Sequence, residues 1–418
     1  MYPSIRPTAV LGTPEPETTE PPGIRPRISP NVIFLGLTSL FTDVSSEAVN
    51  AILPLYLISQ LGFSLLELGL FNGLYLGING VMSIASAVFT DRHRRYKEIA
   101  GAGYGTSAVC KLGLISARNA PWPASMILFA DRVGKGIRTS PRDALISLSS
   151  DKRRLASSFG VHRALDTAGA VAGPFVAFLI LRANPTAYST VFVISFLFAV
   201  IGLGVLVLFV QNRRDTERHE VASWRSAFGL LARDDFRALA IVGSIFGVFT
   251  IADASIYWTI YVRASIESPY FPLLALGMNI SYLLLAIPMG VLADRVGRSR
   301  VFIGGFVLLL GLYVILLAPT IGVIEILGAL ALLGAFYACT DGILNAMASV
   351  ATPDGLRTSG LAVLTTAIAI SGLVSGIAWG FFAEWWGLVT AVRVFAVLLG
   401  AGCLVSAILL RVRARRYG

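Results

Sequence analysis

Thirteen Lys, Arg, Asp and Glu side chains fall inside long apolar stretches of this 418-residue chain. The acids are Asp43, Glu47, Asp131, Asp143, Asp166, Asp253 and Asp341, and the bases are Lys111, Arg132, Lys135, Arg138, Arg142 and Arg163. An ionisable group at bilayer depth costs on the order of 3 kcal/mol or more unless it meets a partner or water, so such groups mark ion, proton or substrate paths. The near balance of signs predicts extensive pairing. A carboxyl that is desolvated holds its proton, and one beside a guanidinium releases it. Alternating exposure would therefore load and unload protons, with Asp43 and Asp253 the candidate carriers and Glu47 next. Asp131, Arg132, Lys135, Arg138, His162, Arg163, Asp166 and Asp341 are candidates for a charge network around a central cavity. The alternative for the basic members is an ion-pair lattice that only fixes helix packing. Arg142, Asp143, His162 and Arg163 could also snorkel to a nearby surface.

Helical phase organises these groups. Asp43, Glu47, Asn50 and Pro54 share one helical face, as do Asp131, Lys135, Arg138 and Arg142, and also His162, Asp166, Gly169 and Gly173. Three polar stripes in the first half of the chain predict a common polar interior. Gly169 and Gly173 would let helices approach closely, and Pro174 could bend the helix that carries them. These residues are candidates for packing or a hinge.

Other chemistries lack their residues. Neither His-Glu-x-x-His nor Gly-x-Ser-x-Gly occurs, and Gly134-Lys135-Gly136 lacks the first glycine and the hydroxyl of a phosphate-binding loop. The three histidines and three cysteines have no metal-ligand spacing, and no disulfide framework is implied. No enzyme activity, cofactor or metal is expected.

The elements that must carry the charges are membrane helices. The chain is 55% hydrophobic and only 14% charged, with a mean hydropathy of +0.74. That composition cannot cover a water-facing surface, which excludes an ordinary soluble enzyme, a secreted disulfide scaffold and a disordered protein. A bilayer core of about 30 Å needs about 20 apolar helical residues per span, and spans without water must be helical. The punctuation predicts twelve, near 32–60, 64–90, 98–117, 122–148, 156–182, 187–210, 238–264, 270–293, 300–318, 322–348, 358–384 and 388–410. The polar, Pro-rich residues 1–30 have no signal-peptide core and predict a disordered cytoplasmic tail. The expected divisions are a bundle over 31–210, a cytoplasmic linker over 211–236, a bundle over 237–410 and a basic tail over 411–418.

Lys and Arg concentrate in alternate loops, placing both termini in the cytoplasm. The net charge of +10 follows from that bias rather than from nucleic-acid binding. The halves also echo one another. Asp43 and Asp253 lie 210 positions apart, as do Asp131 and Asp341, and the loop Asp91-Arg92-His93-Arg94 reappears as Asp294-Arg295-Val296-Gly297. A duplicated six-helix unit places a site at the interface of the repeats.

On these residues the chain resembles the major facilitator superfamily along its whole membrane part. The loop signature of that family is matched by Gly290, Asp294, Arg295, Gly297, Arg298 and Arg300. Its first copy keeps Asp91 and Arg92, with Ala87 and Arg94 in place of glycines. The resemblance implies a cytoplasmic gate at Asp91, Arg92, Asp294, Arg295 and Arg298. It also implies a proton-coupling role for Arg132, beside Gly136. Gly169-x-x-x-Gly173-Pro174 looks like the span-5 signature of antiporters, with Ala177 and Phe178 replacing its trailing glycines. Asp43-Val44-Ser45-Ser46-Glu47, Asp131 to Arg138, Pro141-Arg142-Asp143-Ala144-Leu145 and His162-Arg163-Ala164-x-Asp166 are similar to a prokaryotic branch of the superfamily. That similarity implies no particular substrate.

The expected fold is all-α, twelve membrane helices in two six-helix bundles related by pseudo-two-fold symmetry. The expected function is proton-coupled export of a small molecule by rocker-switch alternating access. The alternatives are uptake of a small anionic metabolite or chelate, gripped by the basic span-4 face, and a non-transporting membrane sensor. The expected setting is the plasma membrane of a prokaryote, with the lipid bilayer, protons and a small-molecule substrate as partners, no nucleic acid, and a monomeric protein.

Overall fold

A computed structural model of the protein describes residues 28–117, 120–151, 155–213, 229–352 and 357–417. Most of the expected tail at 1–30 and of the expected linker at 211–236 lies outside these residues. The described chain is helical throughout. The first group is α1 (Pro30–Ser59), α2 (Leu65–His93), α3 (Tyr96–Ser116), α4 (Pro121–Leu148), α5 (Leu155–Ala183) and α6 (Tyr188–Phe209). A second group follows: α7 (Asp234–Val248), α8 (Asp253–Arg263), α9 (Pro272–Val296), α10 (Arg298–Leu316), α11 (Val323–Ala351), α12 (Arg357–Trp386) and α13 (Leu388–Tyr417). Among the described residues, nine helical segments are long and apolar enough to cross a membrane by length and composition. α4 is not one of them, because Asp131, Arg132, Lys135, Arg138, Arg142 and Asp143 all sit within its 28 residues. Large apolar side chains such as Leu208, Leu284, Ile287 and Ile324 point outward, as lipid contact requires.

The span expected at 238–264 is broken. α7 stops at Val248 and α8 starts at Asp253. Backbone groups freed at membrane depth must be satisfied by protein, and neighbouring hydroxyls do so. The Ile251 N–H donates to the Tyr313 hydroxyl at 2.8 Å, and that hydroxyl donates to the Phe249 carbonyl at 3.1 Å. The Ser375 hydroxyl donates to the Thr250 carbonyl at 2.5 Å. Hydropathy windows cannot see this break, because the four intervening residues are themselves mostly apolar. At the far end, α13 continues as helix through Tyr417 instead of stopping near 410.

Local chemistry sets the turns. Ser64 caps α2 reciprocally with Glu67: its hydroxyl accepts from the Glu67 N–H, and the Glu67 carboxylate accepts from the Ser64 N–H. Gly297 joins α9 to α10 at φ +109°, a conformation that favours glycine. Arg94 turns α2 into α3 at φ +53°. These are the equivalent positions of the two loop copies, so the degenerate copy keeps the turn without its glycine.

Within the first group α1 packs on α5 and α6, and α4 packs on α2 and α3. Within the second, α11 packs on α9 and α10, and α12 on α7 and α13. The two groups meet mainly through α2 against α12 and α5 against α9. Glycine makes the first contact possible, since a Cβ on Gly69 would collide with the Gly376 carbonyl. The two ends of the molecule differ. Toward the end of the α1–α2 turn a single buried apolar cluster joins the groups, through Tyr56, Leu61 and Phe71 with Tyr257, Phe271 and Trp379, and in the second group alone it continues to Val301 and Phe302 beside the α9–α10 turn. The opposite end gathers the α1 start, the α4 and α6 ends and the linker, as the Asn31 bonds to Ser149 and Gln211 demonstrate. There the first group's core is a separate cluster around Val32, Tyr104 and Leu145, and a further cluster surrounds Leu230 and Phe236.

Candidate functional site

A cavity of about 350 Å³ lies between the two groups of helices. At about 30 Å³ per water it has room for about a dozen water molecules. Asp43 and Glu47 of α1, Lys135 of α4, and Arg163 and Asp166 of α5 form one wall. Asp253 of α8, Asn279 and Tyr282 of α9, and Tyr337 and Asp341 of α11 face them. The break between α7 and α8 puts Asp253 in the first turn of α8, where the helix dipole favours a carboxylate.

Two chains of polar contacts run from the cavity into the first group. In one, Lys135 lies 3.3 Å from Glu47, and the Asn50 amide donates to the same carboxylate at 3.1 Å. The Tyr75 hydroxyl donates to Asn50 at 2.6 Å, and the Arg132 guanidinium lies 4.2 Å from the centre of the Tyr75 ring. Arg132 and Lys111 each reach Asp131 at 2.7 Å. In the other, Arg138 lies 3.4 Å from Asp43 and over the Tyr104 ring. Asp43 and Asp166 face one another. Arg142 is 3.6 Å from Asp166 and 3.0 Å from Asp143, and it donates to the Ser39 hydroxyl, which also contacts His162 at 2.8 Å. Arg163 approaches Asp166 at 3.4 Å.

The structure divides the expected network. Asp43, Glu47, Lys135, Arg163, Asp166, Asp253 and Asp341 line the cavity. Asp131, Arg132, Arg138 and His162 do not: they are 2–6% exposed and sit behind its wall. The physical reason is pairing inside the first group. Lys111 on α3 draws Asp131 away from the cavity, Asp131 holds Arg132 beside it, and Tyr104 draws Arg138 the same way. The α4 stripe is therefore wide enough to serve two neighbours. Asp253 accepts a hydrogen bond from the Tyr337 hydroxyl at 2.7 Å. Tyr337 stands four residues before Asp341 on one helical face, a spacing that could have flagged it. Tyr75 and Tyr104 were not foreseeable, because neutral aromatic residues in apolar runs read as core.

The gate residues lie elsewhere. Arg92 and Arg295 are exposed, and Asp294 pairs with Arg298 at 3.2 Å on the molecular surface. The Asp91 side chain lies outside the described residues. Gly169 and Gly173 pack against the α1 backbone, and α5 is continuous through Pro174. A Cβ on Gly169 would collide with the Leu40 carbonyl, and one on Gly173 would lie 2.8 Å from the Ala48 nitrogen. We expect Gly169→Ala to lower stability by roughly 1–3 kcal/mol through overpacking. Thermal unfolding of the purified protein in detergent checks this.

The comparisons agree with this architecture. A protein of Methanocaldococcus jannaschii, named as an uncharacterized MFS-type transporter, is 29% identical over 365 residues, covering 85% of this chain and 88% of the relative. An uncharacterized protein of Mycobacterium tuberculosis is 31% identical over 158 residues, 38% of each chain. Among solved structures, the nucleoside transporter NupG superposes with a TM-score of 0.75 at 14% identity, covering 90% of this chain and 99% of that one. A POT family transporter in complex with a thioalcohol-conjugated peptide superposes at 0.78 with 13% identity, covering 93% and 96%. At such identities the likeness is one of fold. The family model described as Major Facilitator Superfamily matches residues 35–278 and 249–417, so the chain belongs to the major facilitator superfamily of membrane transporters.

Proposed function

We propose that the protein is a proton-coupled antiporter that exports a small molecule by rocker-switch alternating access. The observation that carries this reading is the charged cavity between two helix groups whose apolar cores merge at one end and separate at the other. A site sealed at one end and framed by two separable bodies is what alternating access requires. In this reading α7 and α8 form one interrupted span. Twelve spans then fall into two six-helix bundles with pseudo-two-fold symmetry, in keeping with the repeats at Asp43 and Asp253 and at Arg94 and Gly297.

The separated end carries Arg92, Arg94, Arg95, Arg295, Arg298 and Arg300. By the positive-inside rule it faces the cytoplasm, with both termini. The arrangement is then closed to the outside and loosened toward the inside, with the Asp294–Arg298 pair at the gate. Prokaryotic relatives favour the plasma membrane. A single chain contains both walls of the cavity, so a monomer suffices. Asp43 and Asp253 are the proton carriers and Glu47 a partner to them. The buried pairs behind the wall hold the first bundle rigid.

Reconstituted vesicles test this. An imposed pH gradient should drive solute movement, and adding solute should move protons in the opposite direction, read by an internal pH dye. Proton movement in the same direction as solute would replace export with symport. No solute-dependent proton movement across a broad panel would favour a non-transporting sensor.

A further inference from the structure

The two walls of the cavity differ in their charge balance. Every carboxylate on the first wall touches a cation: Asp43 has Arg138, Glu47 has Lys135, and Asp166 has Arg142 and Arg163. Lys135 and Arg163 are the only basic side chains lining the cavity among the described residues, and both are engaged in those pairs. Arg132, Arg138 and Lys111 lie behind the wall and cannot meet a ligand. On the second wall Asp253 has a neutral partner, the Tyr337 hydroxyl. Asp341 forms no ion pair among the described residues; the nearby cation is Arg163 across the cavity, itself paired with Asp166 and 74% exposed. Five carboxylates thus line the cavity against two cations.

A second observation is independent of that count. The second wall is partly aromatic: Tyr282 and Tyr337 line it beside Asp253 and Asp341, with Met278 next to them. Tyrosine rings attract organic cations. No group of three metal-ligating side chains occurs among the described residues, which disfavours an inorganic divalent ion.

We propose that the cavity takes an organic monocation, its ammonium group between Asp253 and Asp341 and its apolar body against Tyr282 and Tyr337. This rests on the transporter reading above and argues against the alternative of an anionic substrate gripped by the span-4 face, because Arg132 and Arg138 of that face lie behind the wall and the two cations that line the cavity, Lys135 and Arg163, are paired with its carboxylates.

The test uses the purified full-length protein at pH 8 and three probes of similar size: benzyltrimethylammonium, its neutral isostere neopentylbenzene, and phenylacetate. Ligand binding raises the thermal midpoint by mass action. The cation should raise it in a saturable way, and the other two should not. Asp341→Asn, at an exposed position, should weaken the cation about tenfold or more, and the double variant Asp253→Asn/Asp341→Asn should abolish the shift while still eluting as folded protein. Lys135→Met should not weaken it. Stabilisation by phenylacetate that Lys135→Met removes would overturn the proposal, as would an unchanged cation shift in the double variant or no shift with the cation. Vesicle flux separates the two readings. Movement of phenylacetate without the cation would sink the substrate class and leave transport standing. Binding of the cation with no flux of any probe would sink transport and leave the site.

Discussion

Asp131→Ala will destabilise the protein by about 3–5 kcal/mol, the usual result of removing one partner from a buried ion pair. Lys111 and Arg132 both reach this carboxylate at 2.7 Å, and they are 3% and 5% exposed. Without it, two cations remain in a low-dielectric interior with no directly paired carboxylate among the described residues, and the Tyr75 ring offsets one of them in part. Adding Lys111→Met should recover part of the loss, since the remaining guanidinium keeps that ring and one fewer charge is stranded. Asp294→Ala is the control: its partner Arg298 is exposed, and such pairs contribute about 0–1 kcal/mol. Unfolding midpoints in a graded denaturing detergent check all three. A parental midpoint for Asp131→Ala would mean that the triad is hydrated.

Asp253→Asn should reduce gradient-driven transport to background while sparing both the fold and solute exchange at saturating concentration. Asparagine keeps the shape of the side chain and an oxygen for the Tyr337 hydroxyl, but it cannot take up a proton. No cation pairs with Asp253 among the described residues, so none is orphaned by the change. Asp43→Asn removes the charge that compensates Arg138, which is 2% exposed. It should therefore lose both coupling and several kcal/mol of stability, roughly as other broken buried pairs do. Parallel measurement of proton-driven flux, saturating exchange and unfolding separates the two carboxyls. Wild-type flux across pH 6–8 in both variants would remove them from the coupling mechanism.

Helix positions were legible where apolar runs are bounded by turn chemistry. The run read as 187–210 forms α6 at Tyr188–Phe209, and the one read as 32–60 forms α1 at Pro30–Ser59. The break before Asp253 was not legible, because its compensation comes from Tyr313 and Ser375, far away in sequence. The ionisable residues announced themselves by their cost in lipid. Periodicity placed Asp131, Lys135 and Arg138 on one face, yet it could not say that Lys135 meets Glu47 in the cavity wall while Asp131 turns to Lys111. That division depends on which helix packs on which side of α4, a tertiary fact. The role of Gly297 was readable from its residue type. The matching turn at Arg94 was not, because nothing about arginine signals a positive φ.

The central claim is that one charged cavity opens to opposite sides of the membrane in turn, and its accessibility can be measured without knowing the substrate. Cys110, Cys339 and Cys403 are buried and can be replaced to give a thiol-free background. Thr167→Cys then places a reporter in the cavity wall, and Leu65→Cys with Glu384→Cys brackets the sealed end, where the Leu65 N–H donates to the Glu384 carboxylate at 2.8 Å. A membrane-impermeant thiol reagent should reach the reporter from both sides of oriented vesicles. After a short reducible cross-link joins the bracketing pair, it should reach the reporter only from the side of the arginine-rich loops, and reduction should restore both. Labelling from neither side, or equal labelling from both sides with the cross-link in place, would contradict the account.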